Sequence, residues 1–194
     1  MNELTYSEKS QFHYNDEYIF FTKSFLSQWY GAFKNQESSF VTFFNGEDYK
    51  SKEDKNIVMA KVNCAEQAMM LHKASLFKDK ETFDKILKAT HPKDQKALGR
   101  EVKNFDQILW DNNRLSIVTR VNIEKFSQNS SLKRKLISTE NRILVEAAPW
   151  DKVWGIGMGV DDPDILDEKK WKGLNLLGLS LMLTRDYLRL IEEE

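Results

Sequence analysis

The sequence predicts an α+β fold: a single, predominantly helical domain with a small antiparallel sheet. First, short runs of aromatic and β-branched residues, typical of strands, lie mostly in the first third of the chain. Second, helix-favouring segments follow from Ala65 onward and end in a leucine repeat at helical spacing over Leu174–Ile191. Third, 194 residues with 41% hydrophobic and 30% charged content suit one hydrophobic core.

The strand-like segments are short and are bounded by polar residues or turn signals. They are Tyr18–Phe21, Phe40–Phe44, Asn56–Val62 and Ile143–Glu146. Asn45-Gly46 is typical of a tight turn, and the charged stretch Tyr49–Asn56 predicts a loop. Residues 1–16 are polar and predict a flexible N-terminal segment, so that the domain would span residues 17–194.

The helix-like segments lack internal proline and are rich in good helix formers. They are Ala65–Lys78, Glu81–Ala89, Asp94–Val102, Phe105–Glu124, Ser130–Ser138 and Leu174–Ile191. The glycine- and aspartate-containing segment Asp151–Asp167 predicts a loop between the last strand and the last helix.

Composition excludes several classes of protein. A formal net charge of −1 gives no footprint of a strongly basic nucleic-acid-binding domain. One cysteine, Cys64, and three scattered histidines predict neither a disulfide nor a metal site. Because no apolar run is long enough to span a membrane and the first residues do not resemble a signal peptide, we expect a cytoplasmic or nuclear protein that is not secreted.

Glu66 and Lys73 form the first candidate site. They lie seven residues apart, two helical turns, so both project from the face that also carries Met69, Met70 and Phe77. One interpretation is a structural ion pair, or one group reaching solvent, and the spacing alone favours it. The other is a pocket wall, where burial lowers the pKa of the lysine and makes its amine a nucleophile beside a proton-transferring carboxylate.

The second candidate is the segment from Trp150 to Gly159. Trp154 could stack on a base or sugar, Asp151 lies beside it, and Gly155 and Gly157 would let the backbone approach a phosphate. A glycine-rich turn with tryptophans packed in the core explains the same residues, and the residues alone leave both interpretations open. The dinucleotide motif GxGxxG is absent.

Further polar candidates lie near helix ends. Asp106, Trp110 and Arg114 share a helical face, and Arg100 follows a glycine. Arg114 could bind a phosphate, although a surface pair beside a half-buried tryptophan is the commoner arrangement. Asn175 begins the last helix, where it could bind an anion or act as an ordinary cap.

Taken in order, these segments resemble the NADAR family, also called YbiA-like, from about Tyr18 to Arg189. The matching residues are Ala65-Glu66-Gln67, Met69-Met70, Lys73-Ala74, Leu76-Phe77, Leu98-Gly99-Arg100, Phe105-Asp106, Trp110, Lys125-Phe126, Gln128-Asn129, Leu144-Val145-Glu146-Ala147, Asp151, Trp154-Gly155-Ile156-Gly157, Gly173, Asn175-Leu176-Leu177-Gly178, Leu181-Met182 and Arg185. Each piece is short, and their joint order and spacing make the resemblance specific.

The resemblance implies the YbiA-like fold and hydrolysis of a bond between ribose C1 and nitrogen. The leading expectation is removal of ADP-ribose from guanine bases of DNA or RNA. The alternatives are an N-glycosidase of riboflavin-pathway ribosylaminopyrimidine phosphates and a non-catalytic ADP-ribose-binding module. An ADP-ribosyl or ribosyl-phosphate substrate is the only partner implied, with no metal, cofactor or membrane.

The resemblance also implies roles for residues around one pocket. Lys73 would form a Schiff base with the opened sugar, and Glu66 or Asp151 would protonate the leaving nitrogen and activate water. The remaining substrate-binding candidates are Trp110, Trp154, Gly155, Gly157, Asn175, Arg100 and Asp106. Two features depart from the family: Gln28 stands where an asparagine is usual, and the segment Lys34–Lys61 is longer.

Overall fold

The structure, a computed structural model, describes residues 4–8, 11–33, 38–45 and 57–192. The chain forms two compact units, Met1–Ser27 with Ser131–Glu194, and Gln28–Ser130. The described elements are, in chain order, β1 (Thr5–Ser7), β2 (Phe12–Tyr14), β3 (Tyr18–Phe21), β4 (Phe40–Asn45), β5 (Ile57–Val62), α1 (Ala65–Leu76), α2 (Lys80–Lys88), α3 (Pro92–Arg100), α4 (Gln107–Ser127), α5 (Ser130–Ile137), β6 (Ile143–Glu146), a 3₁₀ helix (Glu168–Lys170) and α6 (Leu176–Leu190).

These elements confirm the predicted α+β, mainly helical fold class. The strand and helix segments named from the sequence are all present, with ends shifted by a few residues at most. None of the helices in the described ranges combines the length and apolar character that a membrane span requires. The turn predicted at Asn45-Gly46 and the loop predicted over Tyr49–Asn56 fall on residues outside the described ranges, apart from Asn45 itself.

The unit of Met1–Ser27 with Ser131–Glu194 contains a four-stranded sheet in the order β1-β2-β3-β6. The first three strands are antiparallel, whereas β3 and β6 are parallel, with Tyr18 opposite Ile143. In the other unit β4 and β5 form a two-stranded antiparallel sheet, so the prediction of a small antiparallel sheet is confirmed except for a second sheet and the parallel pairing of β6. Strand direction depends on how distant segments pair, which the period-2 pattern of each strand does not encode.

The first two strands lie in the segment for which the sequence predicted flexibility, residues 1–16. Their pairing brings the rings of Tyr6 and His13 to 4.8 Å between centroids, and the ring of Phe12 lies 6.4 Å from that of Phe25. Aromatic contacts across paired strands stabilise short hairpins. The polar composition of residues 1–16 therefore led to a prediction of flexibility, whereas their aromatic side chains support two further strands of the sheet.

The core of this unit lies on one face of β3 and β6. Tyr18 and Phe20, two residues apart on β3, stack with 5.5 Å between their ring centroids. The buried cluster consists of Tyr18, Phe20, Val145, Ala147, Ile156, Met158 and Ile165. Residues of the predicted loop Asp151–Asp167 thus contribute to the core, and α6 packs on β6.

The unit Gln28–Ser130 is organised around α1. This helix contacts α2, α3 and α4 and the β4–β5 hairpin. Ten of its residues are buried, among them Glu66, Leu71 and His72, so burial extends around nearly the whole helix. A helix enclosed in this way needs a partner for every polar side chain, which a one-sided stripe would not require.

Gly178 on α6 provides a test of the packing of this helix on β6. A Cβ at this position would overlap the backbone carbonyl oxygen of Leu144. We expect Gly178→Ala to lower the free energy of unfolding by about 1–3 kcal/mol, measured by urea denaturation. An unobstructed glycine in a helix would behave oppositely, because alanine stabilises such sites by up to about 1 kcal/mol. A stabilised variant would therefore contradict the close approach.

Candidate active site

Lys73 lies in the last turn of α1 and its amine makes a short contact with α3. Nζ donates a hydrogen bond to the backbone oxygen of Gly99, 2.7 Å away. A Cβ on Gly99 would overlap the sulfur of Met70, so the missing side chain allows α3 to approach α1 closely. The ion pair between Glu66 and Lys73 that the sequence left open is not formed among the described residues.

Two aromatic rings also lie at the Lys73 amine. Nζ is 4.4 Å from the ring centroid of Phe105 and 5.5 Å from that of Trp110. Phe105 is 42% exposed and its ring contacts that of Phe77, while Trp110 is buried. Lys73 is partly buried, so the amine lies between an aromatic wall and a surface that solvent can reach.

The pKa of Lys73 lies below its usual value. Desolvation is the largest cause, because burial penalises the ammonium form, and the charge of Arg100 acts in the same direction. Arg100 is exposed at the end of α3, directly after the glycine that accepts the amine hydrogen bond. The effect of Arg100 is therefore electrostatic, and its predicted substrate-binding role stays a prediction.

Glu66, two turns earlier on α1, is 3% exposed. Nε1 of Trp29 donates to its Oε2 at 3.2 Å, and its backbone N–H donates to the oxygen of Gln28. Gln28, the residue that departs from the family pattern, is itself buried and donates through Nε2 to Asn122. The carboxylate is thus held by the segment that precedes β4.

Asp106 and Arg114 have partners that explain much of their placement. Oδ1 of Asp106 accepts the backbone N–H of Leu109, so Asp106 caps the first turn of α4. Arg114 forms an ion pair of 2.6 Å with Asp111 one turn away. Capping thus accounts for Asp106 and a partly buried ion pair within the helix for Arg114, while Trp110 is the member of this helix face that reaches Lys73.

The other predicted site residues lie in the unit of Met1–Ser27 with Ser131–Glu194. Oδ1 of Asp151 accepts the N–H groups of Val153 and Trp154 at 2.9 and 2.8 Å. Its backbone oxygen accepts the N–H of Gly157, which has a φ of +66° that favours glycine. The backbone oxygen of Gly155 accepts the N–H of Asn175. Asp151 therefore organises the loop that carries Trp154.

The side chain of Asn175 is engaged with a strand. Its Oδ1 accepts the N–H of Glu146 at 3.0 Å, and its Nδ2 donates to the oxygen of Leu144 at 2.9 Å. The side chain is buried and makes no cap to its own helix. This geometry favours a structural role in place of the sugar or diphosphate contact that the sequence suggested.

Two residues that sequence reasoning assigned no catalytic part are buried and structural. The Cys64 thiol donates to Oε1 of Gln95, and burial raises its pKa to about 12, so it is not a nucleophile. Nε2 of His72 lies 2.8 Å from the hydroxyl of Thr42, which donates to Glu124. Desolvation lowers the pKa of His72 to about 3, so this imidazole is neutral.

Sequence reasoning assigned no site role to three side chains: Trp29, Phe105 and Lys125. Trp29 and Phe105 contact Glu66 and Lys73 from segments far along the chain, and no local spacing signals such contacts. Lys125, like Phe105, was noted as part of the family resemblance. It is fully buried, with Nζ 5.7 Å from the ring centroid of Tyr30 and 5.1 Å from that of Phe126.

The site belongs to a class of α+β protein in which one buried helix, here α1, carries a partly desolvated lysine amine and a buried carboxylate. The comparisons give the family. The NADAR domain model matches residues 12–189, and the chain belongs to this family. A protein of Acanthamoeba polyphaga mimivirus named as an N-glycosidase is 39% identical over 181 residues, which are 88% of this chain and 96% of that protein.

Two further proteins are similar to the chain. A chloroplastic riboflavin biosynthesis protein of Zea mays is 30% identical over 110 residues, 55% of this chain but 16% of that protein. The NMR structure of the E. coli protein YbiA has a TM-score of 0.63 at 23% identity and covers 97% of this chain and 95% of its own. The likeness to YbiA confirms the predicted fold.

Lys125 generates a pH-dependent prediction. Burial lowers its pKa to about 7, whereas the unfolded chain has the ordinary value of 10.5. Between these values the unfolded state binds the extra proton, so the contribution of Lys125 to stability is complete above 10.5 and is lost as pH falls through 7. We therefore expect the free energy of unfolding of wild type, relative to that of Lys125→Met, to increase when the pH is raised from about 6 to about 9.

The measurement is urea denaturation of both proteins at the two pH values. Lys78→Met, which changes an exposed lysine, is the matched control and should follow the wild-type profile. An identical change with pH in wild type and Lys125→Met would contradict a lowered pKa at this residue.

Proposed function

We propose that this protein hydrolyses an N-glycosidic bond at ribose C1 and removes ADP-ribose from guanine bases of nucleic acid. The coarser part, cleavage of an N-glycosidic bond, is supported by family membership and by the mimivirus relative named as an N-glycosidase. The finer part rests on the resemblance of the site residues and on the chemistry that Lys73 can perform.

The partly desolvated amine of Lys73 is the observation that carries the proposal. A neutral amine attacks carbon, and the lowered pKa increases its neutral fraction at a given pH. The hydrogen bond to Gly99 directs one N–H at a fixed backbone oxygen and so restricts the orientation of the nitrogen. A lysine in a simple surface ion pair would be charged and would have neither property.

The reaction has two stages. The Lys73 nitrogen bonds to C1 while the bond from C1 to the base nitrogen breaks, and a carboxyl group gives that nitrogen a proton. The lysine nitrogen then loses a proton, the bond from C1 to the ring oxygen opens, the oxygen takes up that proton, and C1 forms an iminium with the lysine. Water adds to C1, the amine leaves, and the free sugar closes its ring.

The aromatic rings and the carbonyl oxygen at Lys73 suit the iminium intermediate. This intermediate carries a positive charge on the same nitrogen that lies over the rings of Phe105 and Trp110. Aromatic faces attract cations, and the attraction strengthens when water is excluded. The remaining N–H can still donate to Gly99, so both kinds of contact persist as the covalent adduct forms.

Glu66 is the carboxyl group that α1 itself supplies. It projects from the same side of the helix as Lys73, and its bond from Trp29 fixes one oxygen. We assign Glu66 the proton transfer to the leaving base. The role of Asp151 in this chemistry and the single predicted pocket with Trp154 stay predictions.

An exposed apolar surface favours a nucleobase as the leaving group. Beside the amine, Phe105 is 42% exposed, and Ile108 and Leu109 in the first turn of α4 are 73% and 42% exposed. Exposed apolar and aromatic side chains can stack on a base presented by a strand. The rival substrate, a ribosylaminopyrimidine phosphate, is supported by the maize relative, which shares only a small part of its length with this chain.

Lys73 variants test the proposal on both substrates. We expect Lys73→Ala and Lys73→Arg to reduce ADP-ribose release from a guanine-modified oligonucleotide by at least about 10³-fold, because neither side chain can form the iminium. Wild type should cleave the ribosylaminopyrimidine phosphate more slowly, measured side by side by chromatography of the released base. Borohydride should trap an adduct on Lys73.

Lys78→Ala, an exposed lysine just after α1, is the matched control and should retain wild-type rates. Full activity of folded Lys73→Ala would remove the lysine mechanism. Faster cleavage of the pyrimidine substrate would keep the mechanism and assign the rival function.

Phe105→Leu tests the aromatic wall separately from burial. Leucine keeps the site apolar but removes the ring face, so the iminium should lose about 0.5–1 kcal/mol of stabilisation. We expect two- to five-fold less borohydride-trapped adduct at equal substrate occupancy, measured by mass spectrometry. Phe43→Leu, at a partly exposed phenylalanine on β4, should leave the yield unchanged. Equal yields from wild type and Phe105→Leu would show that the ring does not stabilise the adduct.

A further inference from the structure

A cavity lies entirely within the unit of Met1–Ser27 with Ser131–Glu194, and neither the proposed reaction nor the family assignment uses it. Its volume is about 190 Å³. The apolar floor consists of side chains from β2, β3 and the segment after β3: Phe12, Tyr14, Ile19 and Phe25. Lys135 and Arg142 lie at its edge, and none of the described lining residues carries a carboxylate.

Lys135 is a cation directed over an aromatic floor. Its Nζ lies 5.8 Å from the ring centroid of Phe25. Among the residues that the structure describes, no carboxylate pairs with this amine. The hydroxyl of Ser138 donates to the backbone oxygen of Lys135 at 2.8 Å and fixes the end of α5 from which the side chain extends. An unpaired cation in this position is available to an anionic ligand.

Arg142 supplies a second positive charge with a fixed orientation. Its Nε donates to the backbone oxygen of Asn15 at 3.1 Å, and its Nη1 lies 3.3 Å from Glu140, whose side chain is 71% exposed. These contacts hold the guanidinium plane in place. Nη2 makes no hydrogen bond within the described part of the chain, so it can still donate to a ligand oxygen.

The apolar floor and the two cations at the edge of the cavity together favour one class of ligand. The volume is just above the roughly 150 Å³ of a cavity that holds benzene, so it accommodates one ring. Lysine and arginine together recognise an oxyanion, and a floor of aromatic side chains recognises a ring face. We propose that this cavity binds a small aromatic anion, one ring carrying a carboxylate or a phosphate. The proposal does not rest on the proposed function.

The test is NMR titration of the full chain with four probes: benzoate, phenyl phosphate, benzamide and inorganic phosphate. The two aromatic anions should bind at one site, with shifts at residues lining the cavity. Benzamide lacks the charge and inorganic phosphate lacks the ring, so each should bind about tenfold more weakly. Comparing the affinities of benzoate and phenyl phosphate shows whether the site prefers a carboxylate or a phosphate.

Lys135→Gln should weaken benzoate and phenyl phosphate about tenfold and leave benzamide unchanged. The matched control is Arg134→Gln. Arg134 is the exposed cation directly before Lys135 on α5 and does not line the cavity, so this substitution should change none of the affinities. Absence of saturable binding, or equal losses in the two variants, would overturn the proposal. Inorganic phosphate binding as tightly as phenyl phosphate would overturn it as well, because the aromatic floor would then contribute nothing.

Discussion

A helix that is buried on nearly all sides imposes one constraint on everything around it: each of its polar side chains needs a partner inside the protein. On α1 these partners come from distant segments. Trp29 reaches Glu66 from the segment before β4, and the end of α3 supplies a carbonyl oxygen to Lys73. The candidate catalytic groups are therefore held in place by the same contacts that satisfy the buried helix.

Opposing effects act on the amine of Lys73. The Gly99 carbonyl and the ring faces of Phe105 and Trp110 favour the ammonium form, whereas desolvation and the charge of Arg100 oppose it. The lowered pKa shows that desolvation prevails. The same carbonyl and rings would offset part of the desolvation cost of a cationic intermediate on this nitrogen, while the net effect on the free amine keeps more of it neutral.

In the loop after β6, residues that the sequence suggested as ligand-binding groups stabilise the conformation of the backbone. Asp151 accepts the N–H groups of the two residues that include Trp154, and Gly157 adopts a left-handed conformation in the same loop. Asn175 joins the start of α6 to β6 through both polar atoms of its amide. The aspartate, glycine and asparagine of this motif thus set the backbone of the loop. Any contact with a ligand would be made by the side chains that the loop exposes.

Local sequence was sufficient to predict the fold class, the segments that form helices and most of the strands, and the placement of Glu66 and Lys73 on one side of a helix. These properties follow from local periodicity and from the ordered family motifs, which a single chain segment carries within itself. Three features became visible in the folded chain alone: the parallel pairing of β3 with β6, the strands within residues 1–16, and the aromatic rings at the amine of Lys73. Each of these depends on contacts between segments far apart in the chain, and no local pattern specifies which distant surface a side chain will meet.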